Sequence, residues 1–192
     1  SRDWSSDVCS SDLYDSLKDF APIGFVGSTP LVLAVHPSVP AKDVKSLVAI
    51  AKEKPGAITY ASVGVGSASH LAGAMFGDVA KVELQHVPYR GGAPALIDLL
   101  AGHVNTYFLS PVISLENIKT GKLKALALAA DKRIEILSDL PTMAEAGYPV
   151  EASYWFGLVA PAGTPPAVTA KLEKALAEVL AMPDRSEEHT SE

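Results

Sequence analysis

Residues Ile58–His70 read ITYASVGVGSASH. The stretch opens on a short strand-like run, Ile58 to Ala61, passes through Gly64-Val65-Gly66-Ser67, and continues as a helix from Ala68. A strand, a glycine turn and a helix N-terminus in that order bind anions. Glycine lets the backbone approach a ligand closely, and the first N–H groups of the helix point at it with no intrahelical acceptor. Ser67 stands where an N-cap belongs and adds a hydroxyl. The same layout is also an ordinary strand-to-helix turn of α/β folds. Ser69 replaces the third glycine of a dinucleotide fingerprint, which argues against NAD binding.

The flanking sequence repeats this unit. Strands are expected at Ile58–Ala61, Val82–Val87, Val104–Leu109 and Leu123–Ala129, and helices at Ala68–Val79, Ala93–Ala101 and Val112–Thr120. Such alternation implies right-handed crossovers and an α/β fold with a mainly parallel sheet flanked by helices. Upstream, Val39-Pro40-Ala41-Lys42-Asp43 is expected to start a helix that runs to about Lys54. Val44, Leu47, Val48, Ile50 and Ala51 recur there at helical spacing, and Pro55-Gly56 stops it. Earlier still, Ile23–Val26 and Leu31–Val35 are strand-like, broken by Gly27-Ser28-Thr29-Pro30, which reads as a hinge between two lobes or as a bulge. Downstream come a polar connector (131–140), a short capped helix at Pro141–Gly147 and a strand at Glu151–Val159. After a stiff turn at Pro161–Pro166, an amphipathic helix, Ala167–Ala181, carries Val168, Leu172, Leu176, Val179 and Leu180 on its apolar side.

In an open parallel sheet, ligands sit beyond the carboxyl ends of the strands. Three loops leave such ends: Ser62–Ser67, Pro88–Gly92 and Ser110–Pro111. Together they offer backbone N–H groups, the hydroxyls of Ser62, Ser67 and Ser110, Tyr89, two helix N-termini and one full charge, Arg90. That donor set suits a carboxylate better than a phosphate or a metal. Each member also has an ordinary structural reading. His70 lies one turn inside its helix as a packing or capping residue, Arg90 is solvated, and Tyr89 covers the core. His86 and His103 read as structural or exposed, and Trp155 and Phe156 as core.

Other chemistries find little support. No G-x-S-x-G elbow, HExxH or CxxC occurs, the histidines lack ligand spacing, and neither a metal nor a cofactor is expected. Ser67 and His70, three apart on one helix, make a Ser–His pair conceivable, but Asp78 and Glu83, which would orient the imidazole, are distant in sequence. The chain has 192 residues, 48% hydrophobic and 20% charged, enough for one large domain or one and a half smaller ones. Its net charge of −6 argues against a nucleic-acid partner. No apolar run is long enough to span a bilayer, so no direct membrane insertion is expected, and the N-terminus lacks a signal-peptide pattern. The single cysteine, Cys9, rules out an internal disulfide. Residues 1–12, SRDWSSDVCSSD, and 185–192, RSEEHTSE, are foreign in composition and resemble translated adapter sequence or disordered tails.

The stretch LKDFAPIGFVGSTPLVLAVHPSVPAKDVKSLVAIAKEKPGAITYASVGVGSASHLAG resembles the periplasmic solute-binding proteins of tripartite tricarboxylate transporters, the Bug or TctC-like family. HVPYRGGAPALIDLLAGHV, IKTGKLKALAL, LPTMAEAGYPVEASYWFGLVAPAGTP and the closing helix follow in the family's order. The resemblance covers roughly Leu13 to Asp184. It implies a type II periplasmic-binding fold with two lobes that close on a small organic acid, a dicarboxylate, tricarboxylate or related acid. The acid is held largely by backbone groups and water and handed to membrane transporter subunits. The family's second-lobe loops fall here on Ser62, Gly64, Gly66, Ser67, His70, Tyr89, Gly91 and Gly92, with the loop at Ser110; Arg90 joins them from the donor set above. Many members carry an Asp just after the phenylalanine that corresponds to Phe108. Leu109-Ser110-Pro111 stands here instead, which favours an acid without an amine.

The resemblance also implies truncation. An exported leader and a first-lobe Pro-Gly-Gly loop are expected upstream and do not occur. On this reading 30–152 is the second lobe, 13–29 and 153–184 are remnants of the first, and 1–12 and 185–192 are tails. Binding by the chain alone is then expected to be weak or absent, with Tyr154–Val159 and the last helix exposed and prone to associate. Two competing functions remain open at this point: the effector-sensing domain of a transcription regulator, which shares the two-lobed fold, and a small serine hydrolase using Ser67 and His70.

Overall fold

The computed structural model describes Asp15 and residues 17–182. Cys9 and the expected tails at 1–12 and 185–192 lie outside the described residues. The elements run β1 (Phe20–Val35), α1 (Val44–Glu53), β2 (Thr59–Ser62), α2 (Ala68–Ala80), β3 (Gln85–Pro88) and α3 (Gly92–Ala101). They continue with β4 (Thr106–Leu109), α4 (Pro111–Lys119), β5 (Lys124–Ala129), a 3₁₀ turn (Glu135–Leu137), β6 (Ser153–Pro161) and α5 (Pro166–Leu180). Contacts divide the chain into two compact units, Thr29–Tyr154 and the described residues on either side of it.

In the Thr29–Tyr154 unit the strands lie in the order β3-β2-β4-β1-β5. β2 pairs in parallel with both β3 and β4, and β1 is antiparallel to β4 and β5. Strands β2 to β5 therefore share one direction, which makes the sheet mostly parallel as expected, and β1 runs against them. Alternation along β1 decides the layering. Leu31, Leu33 and Val35 pack with α1, Ala72, Phe76 and Ala80 of α2, and Phe108. Ala34 faces the other way, with Ala61, Ala95 and Leu99 of α3, and Leu109. Val32 on that face meets Leu128 and Ile134. Leu31 to Val35 are all 0% exposed, as a strand covered on both faces must be. Full burial of each leucine or valine contributes about 1.5–3 kcal/mol.

Three expectations are corrected. Gly27–Pro30 does not interrupt the strand: β1 is continuous from Phe20 to Val35, and its register shift lies between Leu33 and Ala34. The expected helix at Pro141–Gly147 is a turn. Its capping chemistry is present, since Thr142 N–H donates to Glu145 (2.7 Å) and Glu145 N–H to Thr142 Oγ1 (3.1 Å). Thr142 is instead drawn into a bridge with Leu128. The connector at 131–140 is not merely polar: Ile134, Leu137 and Leu140 cover the sheet beside Val32.

The other unit is built from the first half of β1, β6 and α5. β6 pairs with β1, and Ala162 N–H donates to Asp19 O (2.8 Å). Ile23 and Ala160 are buried, but Trp155 is 72% and Phe156 57% exposed. No residue of α5 is buried.

Candidate functional site

Because β2, β3 and β4 are parallel, their carboxyl ends lie along one edge. Ser62 pairs with Pro88, and Ala61 with both Val87 and Tyr107. The loops that leave these ends therefore meet. Tyr89 N–H donates to Ser62 O (2.9 Å). A side-chain carbon built on Gly92 would lie 3.8 Å from the Tyr107 hydroxyl and 3.9 Å from both Val63 and Ile113. The structure thus brings Ser62, Gly64, Gly66, Ser67, His70, Tyr89, Arg90, Gly91, Gly92 and Ser110 into adjoining loops and helix starts.

Within that group, the hydroxyls have partners in the fold. Ser67 caps α2, accepting from His70 N–H (3.3 Å), and donates to Gly64 O (2.6 Å). Ser110 caps α4, accepting from Val112 N–H (3.3 Å), and Pro111 at the next position has no N–H to offer. Ser62 is fully buried, with its Oγ 2.6 Å from His86 Nε2 and accepting from Gly64 N–H (3.1 Å). Tyr89 donates to Asp98 Oδ2 (2.7 Å), and Asp98 Oδ1 lies 3.3 Å from His103 Nδ1. Burial, then the Asp98 carboxylate, pushes the Tyr89 phenol up to about 12. The hydrogen bonds from Tyr89 and His103 hold Asp98 below its usual range.

What stays open is backbone. Gly91 is the N-cap of α3, and no side chain caps that helix. At φ 113° and ψ 171° it occupies a region that belongs to glycine, and a side-chain carbon there would meet nothing within 4 Å. Arg90 is exposed and forms no ion pair among the described residues. The start of α3 thus combines uncapped N–H groups, a helix dipole and one guanidinium, the elements of a carboxylate site.

Three contributors escaped the sequence reading. Ser69, noted only as a missing glycine, is fully buried and accepts from Val63 N–H (3.2 Å). His86 lies against Ser62, its ring 4.3 Å from that of His70 and 4.9 Å from that of Tyr60. Asp98 anchors Tyr89. Ser69 follows Ser67 by two residues and was within reach of a local argument; the other two depend on strand pairing and helix packing. The conceivable Ser67–His70 side-chain pair does not form: His70 Nδ1 instead accepts from Gly66 N–H (3.2 Å). No group of three metal-ligating side chains occurs among the described residues, and no helix among them is long and apolar enough to cross a membrane.

Residues 11–191 match the family described as "Tripartite tricarboxylate transporter family receptor". Protein BugT of Bordetella pertussis is 36% identical over 168 residues, 87% of this chain and 52% of the relative. Two solved structures from Rhodopseudomonas palustris are similar. One, with adipate, has a TM-score of 0.85 at 35% identity, covering 90% of this chain and 58% of the other. The second, MatC with bound malate, has a TM-score of 0.82 at 31% identity, covering 92% and 60%. The chain spans about half the length of the curated relatives it matches. A further similar structure, periplasmic binding protein BugD, has a TM-score of 0.81 at 39% identity, covering 88% of this chain and 56% of the other.

Proposed function

The chain belongs to the tripartite tricarboxylate transporter receptor family, and from that premise we propose that it is the ligand-loop half of a periplasmic receptor for a small dicarboxylate or tricarboxylate. In the whole receptor the acid is captured and passed to the membrane subunits of a tripartite transporter. One observation carries the reading: the carboxyl ends of β2, β3 and β4 meet at one edge, where the start of α3, which no side chain caps, and Arg90, which forms no ion pair among the described residues, offer donors. Neutral backbone donors orient the acid, and the single guanidinium adds one positive charge that can pair with a carboxylate. Leu109-Ser110 at the end of β4 supplies no carboxylate for an ammonium group, so the ligand is an acid without an amine. The adipate and malate held by the two R. palustris proteins are of this class.

Calorimetric titration of the full-length gene product with malate, adipate and citrate tests the reading, with glutamate as the amine-bearing control. Saturable binding of at least one plain acid, weakened about tenfold in Arg90→Gln, is expected. Binding of glutamate in preference to every plain acid would overturn the ligand class.

A further inference from the structure

The loop that carries Gly64 and Gly66 is held from below by a histidine that the family reading does not use. His86 sits on β3, 24 residues from Ser62 along the chain, and its Nε2 lies 2.6 Å from Ser62 Oγ. Its ring stacks on Tyr60 of β2 at 4.9 Å and lies against His70 of α2 at 4.3 Å. Among the described residues, those two are the titratable side chains in ring contact with it. β3 is the edge strand, with β2 its one neighbour, and no carboxylate or cation is hydrogen-bonded to the ring among the described residues.

Ser62 has one proton and three partners. Gly64 N–H donates to its oxygen (3.1 Å), and the hydroxyl proton can go to Gly64 O (3.2 Å) or to His86 Nε2. When His86 Nε2 carries a proton it must donate to Ser62. The hydroxyl is then free only for Gly64 O, which also accepts from Ser67 Oγ (2.6 Å), so both polar groups of Gly64 are engaged. Relative to the neutral ring with its proton on Nδ1, whose Nε2 accepts from Ser62, the imidazolium form turns the Ser62 hydroxyl toward Gly64 O and places a positive charge beside Ser62.

Building on the anion-receptor reading, we propose that His86 is the positioning residue of the Gly64–Ser67 loop, and that acid capture is coupled to uptake of a proton by its ring. A bound carboxylate offsets the cost of charging the half-buried imidazole. By linkage, affinity then rises as the solution becomes more acidic, until the ligand's own carboxylates protonate.

Two measurements test this. In the ligand-free 192-residue chain, the Gly64 amide resonance should move with the titration of the His86 ring in the NMR spectrum. In the full-length gene product, malate titrations near pH ~6 in buffers of different ionisation heat should show fractional proton uptake. Affinity should rise severalfold between about pH 7 and 6, and His86→Gln should abolish the uptake and weaken binding about tenfold. A Gly64 amide indifferent to His86, or uptake that persists in His86→Gln and in His86→Asn, overturns the proposal. If Gly64 follows His86 but neither malate nor adipate binds at any pH, the positioning role stands and the dicarboxylate reading falls.

Discussion

The turns after β2 and β3 are neighbours with similar compositions and opposite states. The first, Gly64–Ser67, is closed on itself: Ser62, Ser67, Ser69 and His70 each hydrogen-bond to its backbone or to one another. The second, Tyr89–Gly92, has a glycine cap, no side-chain cap on its helix and open space at Gly91. Glycine content alone does not separate a scaffold from a grip. What separates them is whether polar side chains lie within reach of the free N–H groups. Serines fill that role in the first turn; in the second, the tyrosine is turned away to Asp98.

Substitutions can break this comparison, and the largest effect is expected beneath the first turn. A side chain at Gly73 would collide with the Tyr60 ring, which stacks on His86. Gly73→Val should lower stability by about 1–3 kcal/mol, read as a shift in the urea midpoint. Gly91→Ala places a side chain on a backbone conformation reserved for glycine, at about 1–3 kcal/mol. It should also weaken acid binding, because the strain falls on the donor loop. Equal affinity in the two alanine variants Gly91→Ala and Ser67→Ala would erase the distinction between grip and scaffold. Ser67→Ala removes an N-cap, worth about 1 kcal/mol, and should show mainly in the melting temperature. Tyr89→Phe loses one hydrogen bond to Asp98, about 0.5–1.5 kcal/mol, with acid affinity almost unchanged.

The smallest expected effect is a pH slope. Burial and the adjacent His70 ring hold His86 below the ordinary imidazole range. The unfolded chain then takes up the proton first as pH falls, so stability declines on the acid side of about pH 6.5 as pH approaches the folded value. His86→Gln should flatten that decline in chemical denaturation series at pH ~7 and ~5.5. An unchanged slope would remove His86 as its source.

The second unit offers a harsher contrast in how burial follows from sequence. Leu172 and Val179 have helical spacing on α5, yet they are 39% and 41% exposed. Leu47 and Val48 on α1, with the same kind of spacing, are 0% and 3% exposed. Periodicity marks which face is apolar; only a packed partner makes that face a core.

Local chemistry was enough for much of this protein. Ser67 as the cap of α2, the glycine at the start of α3 and the alternation of strand with helix all follow from residues within one turn of each other. They were legible because capping, φ preference and amphipathic period are short-range. The place of β1 was not: its sixteen residues run antiparallel between β4 and β5, and nothing local distinguishes that from a parallel strand. The Ser62–His86 bond, the Tyr89–Asp98 bond and the closure of one glycine turn beside the opening of the other came from tertiary structure alone. Each joins groups that only the register of β2 with β3, or the packing of α3, brings within hydrogen-bonding distance.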